Sequence, residues 1–163
     1  DGAGAILMRA MNPADAAGRG VISSYIRTDG RYHDLLYVDG GPSQTQTVGH
    51  LRMQGNAVFK HAVQHISDAI SHAAERAHIP VEQVDWFVPH QANQRILDGV
   101  ARRLNIPAEK VISTVAKHGN TSAASVPLAL STAIEDGRIR QGDLVLMEAL
   151  GGGLTWGAAV ARM

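Results

Sequence analysis

Two polar side chains stand where an α/β protein does chemistry. Trp86-Phe87-Val88-Pro89 is a short apolar run that stops at a proline. His90 follows at once, ahead of Gln91-Ala92-Asn93-Gln94-Arg95. The segment His118-Gly119-Asn120-Thr121-Ser122-Ala123-Ala124-Ser125 repeats the design, with Asn120 just before a helical pattern. Open α/β sheets bind ligands outside the carboxyl ends of their strands, and a helix start adds free N–H groups and partial positive charge. A neutral imidazole and a carboxamide at neighbouring strand ends can both donate to one developing oxyanion or enolate. Removing one such preorganised donor costs ~3 kcal/mol of barrier.

Each residue also has a plainer reading. His90 alone is a satisfied core or surface histidine. Asn120 or Ser122 alone is a helix N-cap, typically worth ~1 kcal/mol. Gly151-Gly152-Gly153 follows one apolar strand and precedes another, so it makes a poor phosphate loop and no dinucleotide fingerprint. It reads as a tight hairpin, or as glycine bringing a backbone N–H close to a substrate oxygen.

The elements that must position these groups follow from periodicity. Ala5 to Ala10 predicts a buried strand, Val21 to Thr28 a second and Leu35 to Val38 a third. The Gly/Pro/Ser/Thr/Gln stretch from Asp39 to Gly49 has no period and predicts a mobile loop. Gly55-Asn56 opens a long helix whose Val58, Phe59, Ala62, Val63, Ile66, Ala69, Ile70, Ala73 and Ala77 share one face, closed by Pro80. Then come a strand at Val84 to Val88, a helix from Ala92 to Leu104, a brief strand at Val111-Ile112 and a helix from Ser122 to Asp136. Leu144 to Leu150 is apolar enough to be buried on both faces, and Leu154 to Val160 runs back beside it. The alternation predicts layered α/β with a mixed sheet.

Composition narrows the partners. The 163 residues carry 15 basic and 15 acidic side chains, so there is no bulk pull toward nucleic acid or an anionic membrane. No apolar run approaches the ~20 residues of a membrane span. The absence of cysteine excludes disulfides, thiolate metal sites and a cysteine nucleophile within this chain. A soluble cytoplasmic protein fits best. Opening on Asp1-Gly2-Ala3-Gly4-Ala5, the chain reads as cut inside a larger fold.

Val88-Pro89-His90-Gln91-Ala92-Asn93, His118 through Pro127, and Gly151-Gly152-Gly153-Leu154-Thr155-Trp156-Gly157 resemble the β-ketoacyl-acyl carrier protein synthase III family of condensing enzymes. Met53 through Lys60 and Asp1 through Ala5 match as well, so the likeness runs the length of the chain. The resemblance implies a thiolase-like fold, with residues 1–163 as the carboxyl-terminal βαβαβαββ half of a five-layered αβαβα body. It implies catalytic roles for His90 and Asn120, with the nucleophilic cysteine in the other half, and an oxyanion hole completed by the Gly152 N–H. The chain alone is then expected to be inactive. Chain-elongating relatives use a second histidine where Asn120 stands. Other His/Asn condensing enzymes, of polyketide or quinolone pathways, remain open, as does a half that only binds CoA or a carrier protein.

The implied reaction joins a short acyl-CoA to malonyl-acyl carrier protein by decarboxylative condensation, initiating type II fatty acid synthesis. No cofactor is expected. Gln91, Ala92, Asn93, Gln94 and Arg95 are expected to dock the acidic carrier protein, with Lys60, Arg102 and Arg103 extending the patch; otherwise these charges are a solvated helix face. Asn56, Phe59 and Asn93 are expected along the pantetheine tunnel. Leu150 and Leu154, where the family often carries phenylalanine, are expected at the acyl pocket. The full-length protein is expected to be a homodimer. His61, His65 and His72 share a helical face, but Ala62 stands where a zinc-protease helix needs Glu, so they read as exposed histidines with no metal. Trp86 and Trp156 read as core or tunnel wall.

Overall fold

The computed structural model describes residues 1–163. A one-turn helix α1 (Pro13–Ala16) leads into β1 (Gly20–Thr28), and a 3-10 turn then leads to β2 (Leu36–Val38) and β3 (Leu51–Met53). The long α2 (Gly55–Ala77) follows, then β4 (Trp86–Pro89), α3 (Gln94–Arg103), the short α4 (Val115–His118), α5 (Ser125–Glu135), β5 (Leu144–Gly151) and β6 (Thr155–Arg162). The main sheet has the order β1-β6-β5-β4; β4 and β5 are parallel and the other pairs antiparallel. Val111 adds a single parallel bridge to Phe87. Counting that bridge as a strand, β1, α2, β4, α3, Val111, α5, β5 and β6 spell the βαβαβαββ order.

Helices cover both faces of the sheet. On one, α2 and α3 pack Ala62, Ile66, Ile70, Ile96 and Val100 against Phe87, Leu146 and Val160. On the other, α5 sets Ala129, Leu130 and Ala133 against Val88, Ile112 and Val145. Neighbouring β5 side chains point to opposite faces, so Leu144, Val145 and Leu146 are all buried only because both faces are covered. The alanines of α2 let its axis approach the sheet closely. Gln54 precedes α2, and its end is set by His78 in the left-handed region (φ 54°), two residues before Pro80.

Two expectations change and a third is refined. Ala5 to Ala10 forms no strand, and Leu7 is 98% exposed. A strand needs a neighbour for its backbone groups, and this run has none within the chain. The preceding glycines lie against α5's N-terminal turn, where a Cβ on Gly4 would sit 2.4 Å from the Pro127 Cβ. The segment from Asp39 to Gly49 is the expected loop, but it is internally paired rather than featureless. Gly41 and Thr47 form a bridge, Asp39 accepts the His50 N–H at 2.7 Å and pairs with Arg52, and β3 then zips onto β2. Finally, α5 starts at Ser125, after a 3-10 turn over Ser122–Ala124. Pro127 is tolerated there because first-turn N–H groups have no helical acceptor.

Candidate active site

The bend between β4 and α3 is pinned by its own polar groups. The His90 N–H donates to the Glu148 carbonyl on β5 at 2.9 Å, holding the end of β4 in register. Gln91 next to it is fully buried, and its amide is a three-way clamp. Its Nε2 donates to the carbonyls of Pro89 (2.8 Å) and Ile112 (3.1 Å), and its Oε1 accepts the Thr114 N–H at 2.7 Å. The strand end carrying His90 is thereby tied to the segment leading toward Asn120. Gln91 therefore has no surface to offer a carrier protein, contrary to its expected docking role. A buried amide must fill its hydrogen-bonding capacity, and the two strand ends supply the partners.

Both proposed donors are anchored on the turn that opens α5. The His90 Nδ1 lies 2.6 Å from the Oγ of buried Ser125. Asn120 uses its Oδ1 to accept the Ser122 N–H at 2.9 Å, which leaves its amino group to face solvent or substrate. Asn120 is thus not an N-cap of α5; Ala124 holds that position with no side-chain cap. His90 is half-buried, and burial lowers its pKa, so the ring is neutral at pH 7. Gly119, at φ 66°, gives the left-handed turn before Asn120. Around Asn120, His118 Nδ1 and Thr121 Oγ1 are buried without partners.

The remaining residues divide. Gly152 is exposed in the turn joining β5 to β6, and a Cβ there would come to 3.0 Å from the Leu36 carbonyl oxygen, a tight contact that glycine avoids. Leu150 is half-buried against the core. Leu154 has no exposed surface and belongs to the core between the sheet and α2, so in this chain it lines no open acyl pocket. The apolar environment under the hairpin absorbs it. Asn93, Gln94 and Arg95 are exposed while Ala92 is half-buried against the core. Asn93 is the N-cap of α3, its Oδ1 accepting the Ile96 N–H at 3.0 Å. Gln94 bridges Asp98 and Ser113, each at 2.8 Å. Arg95 stacks over the half-buried Phe59 ring at 5.5 Å, and Asn56 is exposed in the first turn of α2.

Elsewhere, the histidines of α2 lie against aromatic rings, His65 and His72 stacked and His61 tilted, rather than being simply solvated. His61 meets Tyr32 at 4.3 Å, His65 meets Trp156 at 4.2 Å and His72 meets Tyr25 at 4.6 Å. Trp86 donates to the Asp143 carboxylate at 3.1 Å. Two residues to which motif reading assigned no role stand close to His90. One is Ser125, whose bond to His90 spans 35 residues of sequence. The other is Glu148, fully buried, with Oε2 unpartnered and its carboxyl pushed up to about 8 by burial. No helix is long and apolar enough to cross a membrane.

The model of the 3-oxoacyl-[acyl-carrier-protein] synthase III C-terminal family matches residues 74–163, which include His90, Asn120 and Gly152. The chain belongs to this family. It is 59% identical to β-ketoacyl-[acyl-carrier-protein] synthase III of Allorhizobium ampelinum, over 99% of this chain and 50% of that protein. The same enzyme of Caulobacter vibrioides is 62% identical, over 100% of this chain and 51% of the relative. Among solved structures, the synthase III of Aquifex aeolicus superposes with a TM-score of 0.84 at 41% identity, covering 90% of this chain and 45% of that one. The priming β-ketosynthase of the R1128 polyketide pathway reaches 0.81 at 33% identity, covering 88% and 45%. The chain thus spans about half the length of the relatives it matches and has the fold of one half of a thiolase-like body.

Proposed function

We propose that this chain supplies the decarboxylating half of a β-ketoacyl-acyl carrier protein synthase III. A cysteine in the other half takes a short acyl group from acyl-CoA as a thioester. Malonyl-acyl carrier protein then enters and its carboxylate leaves as carbon dioxide. The electron pair of the broken C–C bond passes into an enolate, whose oxygen receives hydrogen bonds from His90 and Asn120. The resulting carbanion attacks the acyl thioester carbonyl, the Gly152 N–H helps hold the tetrahedral oxyanion, and expulsion of the thiolate releases the 3-oxoacyl product. Carbon dioxide loss generates the nucleophile, so the step calls for no redox or metal group.

The observation that carries this reading is the common anchorage of His90 and Asn120 on the opening turn of α5. Each has one polar end occupied there, and the donor end of Asn120 stays free. Exposed Arg95, fixed over Phe59, together with Asn93, Gln94 and the solvent face of α3, gives an acidic carrier protein a basic landing edge beside Asn56 and Phe59, which suit a pantetheine tunnel. Lys60, Arg102 and Arg103 extend that edge. We take the working enzyme to be a cytoplasmic homodimer.

The test uses the full-length protein. His90→Ala and Asn120→Ala should each slow malonyl decarboxylation by more than about 10²-fold, while acylation of the cysteine by acyl-CoA proceeds as in the wild type. Variants that lose acylation and keep decarboxylation would refute these roles. The R1128 likeness favours one second reading, a priming synthase of a polyketide pathway. Primer preference across acyl-CoA chain lengths, read with a fatty-acid and a polyketide carrier protein, separates the two.

A further inference from the structure

We propose that Ser125 is a positioning residue that fixes His90 as its Nε2–H tautomer, so that the imidazole presents a proton rather than a lone pair to the substrate. This deepens the condensing reading above and rests on it.

The tautomer follows from a count of protons around one buried oxygen. Ser125 is 1% exposed, and its hydroxyl makes two hydrogen bonds. One comes from the Gln91 backbone N–H at 3.2 Å, and a backbone N–H can only donate, so the Ser125 oxygen accepts there. The other joins His90 Nδ1 at 2.6 Å. The hydroxyl proton has no other acceptor, neither in the first turn of its own helix nor elsewhere. Leaving a buried O–H unpaired is unfavourable, so that proton points at Nδ1. Nδ1 then accepts, and a neutral imidazole that accepts at one nitrogen carries its proton on the other.

The surrounding framework keeps this arrangement rigid. Gln91 cannot rotate away, because its side chain is clamped to Pro89, Ile112 and Thr114. His90 is held from behind by its N–H bond to the Glu148 carbonyl. Ser125 heads α5, which packs on the sheet through Ala129, Leu130 and Ala133. The hydroxyl therefore has one geometry, and the ring follows it. Without that hydroxyl the two neutral tautomers would both be populated, and the Nδ1–H form offers the enolate an acceptor instead of a donor.

The experiment compares the full-length wild type with Ser125→Ala. The nitrogen shifts of ¹⁵N-labelled histidine report the tautomer directly, and single-turnover assays separate cysteine acylation from malonyl decarboxylation. The expected wild-type spectrum is a neutral His90 with its proton on Nε2. In Ser125→Ala a mixed or reversed tautomer is expected, with decarboxylation slowed about 10²-fold and acylation unchanged. A purely structural role would lower both rates together and leave the tautomer alone. A wild-type His90 protonated on Nδ1 overturns the proposal even if Ser125→Ala fails to fold. So does a folded Ser125→Ala with a wild-type tautomer or rate. A wild-type protein that never condenses malonyl-acyl carrier protein overturns the functional reading and the positioning role of Ser125 in that reaction with it, while the spectra still decide the Ser125–His90 contact.

Discussion

Glu148 puts a burial cost next to the most constrained bend in the chain. Its carboxyl is enclosed on β5, one oxygen has no partner, and burial raises its pKa from 4.5 to about 8. The neutral acid is therefore the form that folds comfortably. Stability from this group is complete below pH 4.5 and is lost progressively as pH climbs toward 8. His90 acts with the opposite sign: its lowered pKa keeps its contribution intact above 6.5 and loses it as the solution becomes acidic. Between pH 7 and 8, then, Glu148 sets the slope of this pair. Thermal melting over that interval should fall with pH in the wild type and fall less steeply in Glu148→Gln. Equal slopes in the two proteins would mean that the carboxyl is hydrated or paired. The comparison is of slopes, because an amide placed at that position still needs partners of its own.

At the scale of elements, the site depends on how two strand–helix units are stitched together, and Gln91 is the stitch. Truncating it to alanine leaves the Ile112 carbonyl and the Thr114 N–H without their side-chain partner, and an orphaned buried group costs about 1–3 kcal/mol. Gln91→Ala should lower the denaturation midpoint by several degrees and weaken condensation. Asn93→Ala, which removes the N-cap of α3, should cost about 1 kcal/mol of stability. A Gln91→Ala protein no less stable than Asn93→Ala would show the clamp to be dispensable. This is also the scale at which sequence reading succeeded and failed. The apolar faces of α2 and α3 and the unbroken run of β5 were legible because helix and strand periods are local. The fates of Gln91 and Ser125 were not. A glutamine beside an expected docking motif looks like surface, and nothing local says that Ile112 and Thr114 arrive to bury it. The His90–Ser125 bond closes only when the sheet forms, so motif spacing carries no trace of it. Three-residue β3 lay beneath any periodicity signal, and Leu154 was placed at the pocket by the family resemblance, which does not say which side of the hairpin its side chain faces.

At the scale of the whole molecule, the governing feature is an uncovered apolar exterior. Ile6, Leu7 and Met8 stand in solvent, Val21, Ile22 and Ile26 lie exposed along edge strand β1, and Val48, Leu51 and Met53 add a third exposed group. Soluble monomers seldom leave so many large apolar side chains uncovered, and a sheet edge with free N–H and C=O groups invites pairing. The formal charge of +0 offers little repulsion to oppose association. The isolated 163-residue chain should therefore self-associate, its weight-average sedimentation coefficient rising with concentration. It should also form no 3-oxoacyl product, because it contains no cysteine to carry the acyl group. Co-expression with a polypeptide bearing the cysteine half should convert the aggregate into a discrete species and restore turnover, which turns the exposed surface into a measurable interface. A monodisperse monomer at every concentration would mean that these side chains fold back on themselves in solution, and that the apolar exterior is not waiting for a partner.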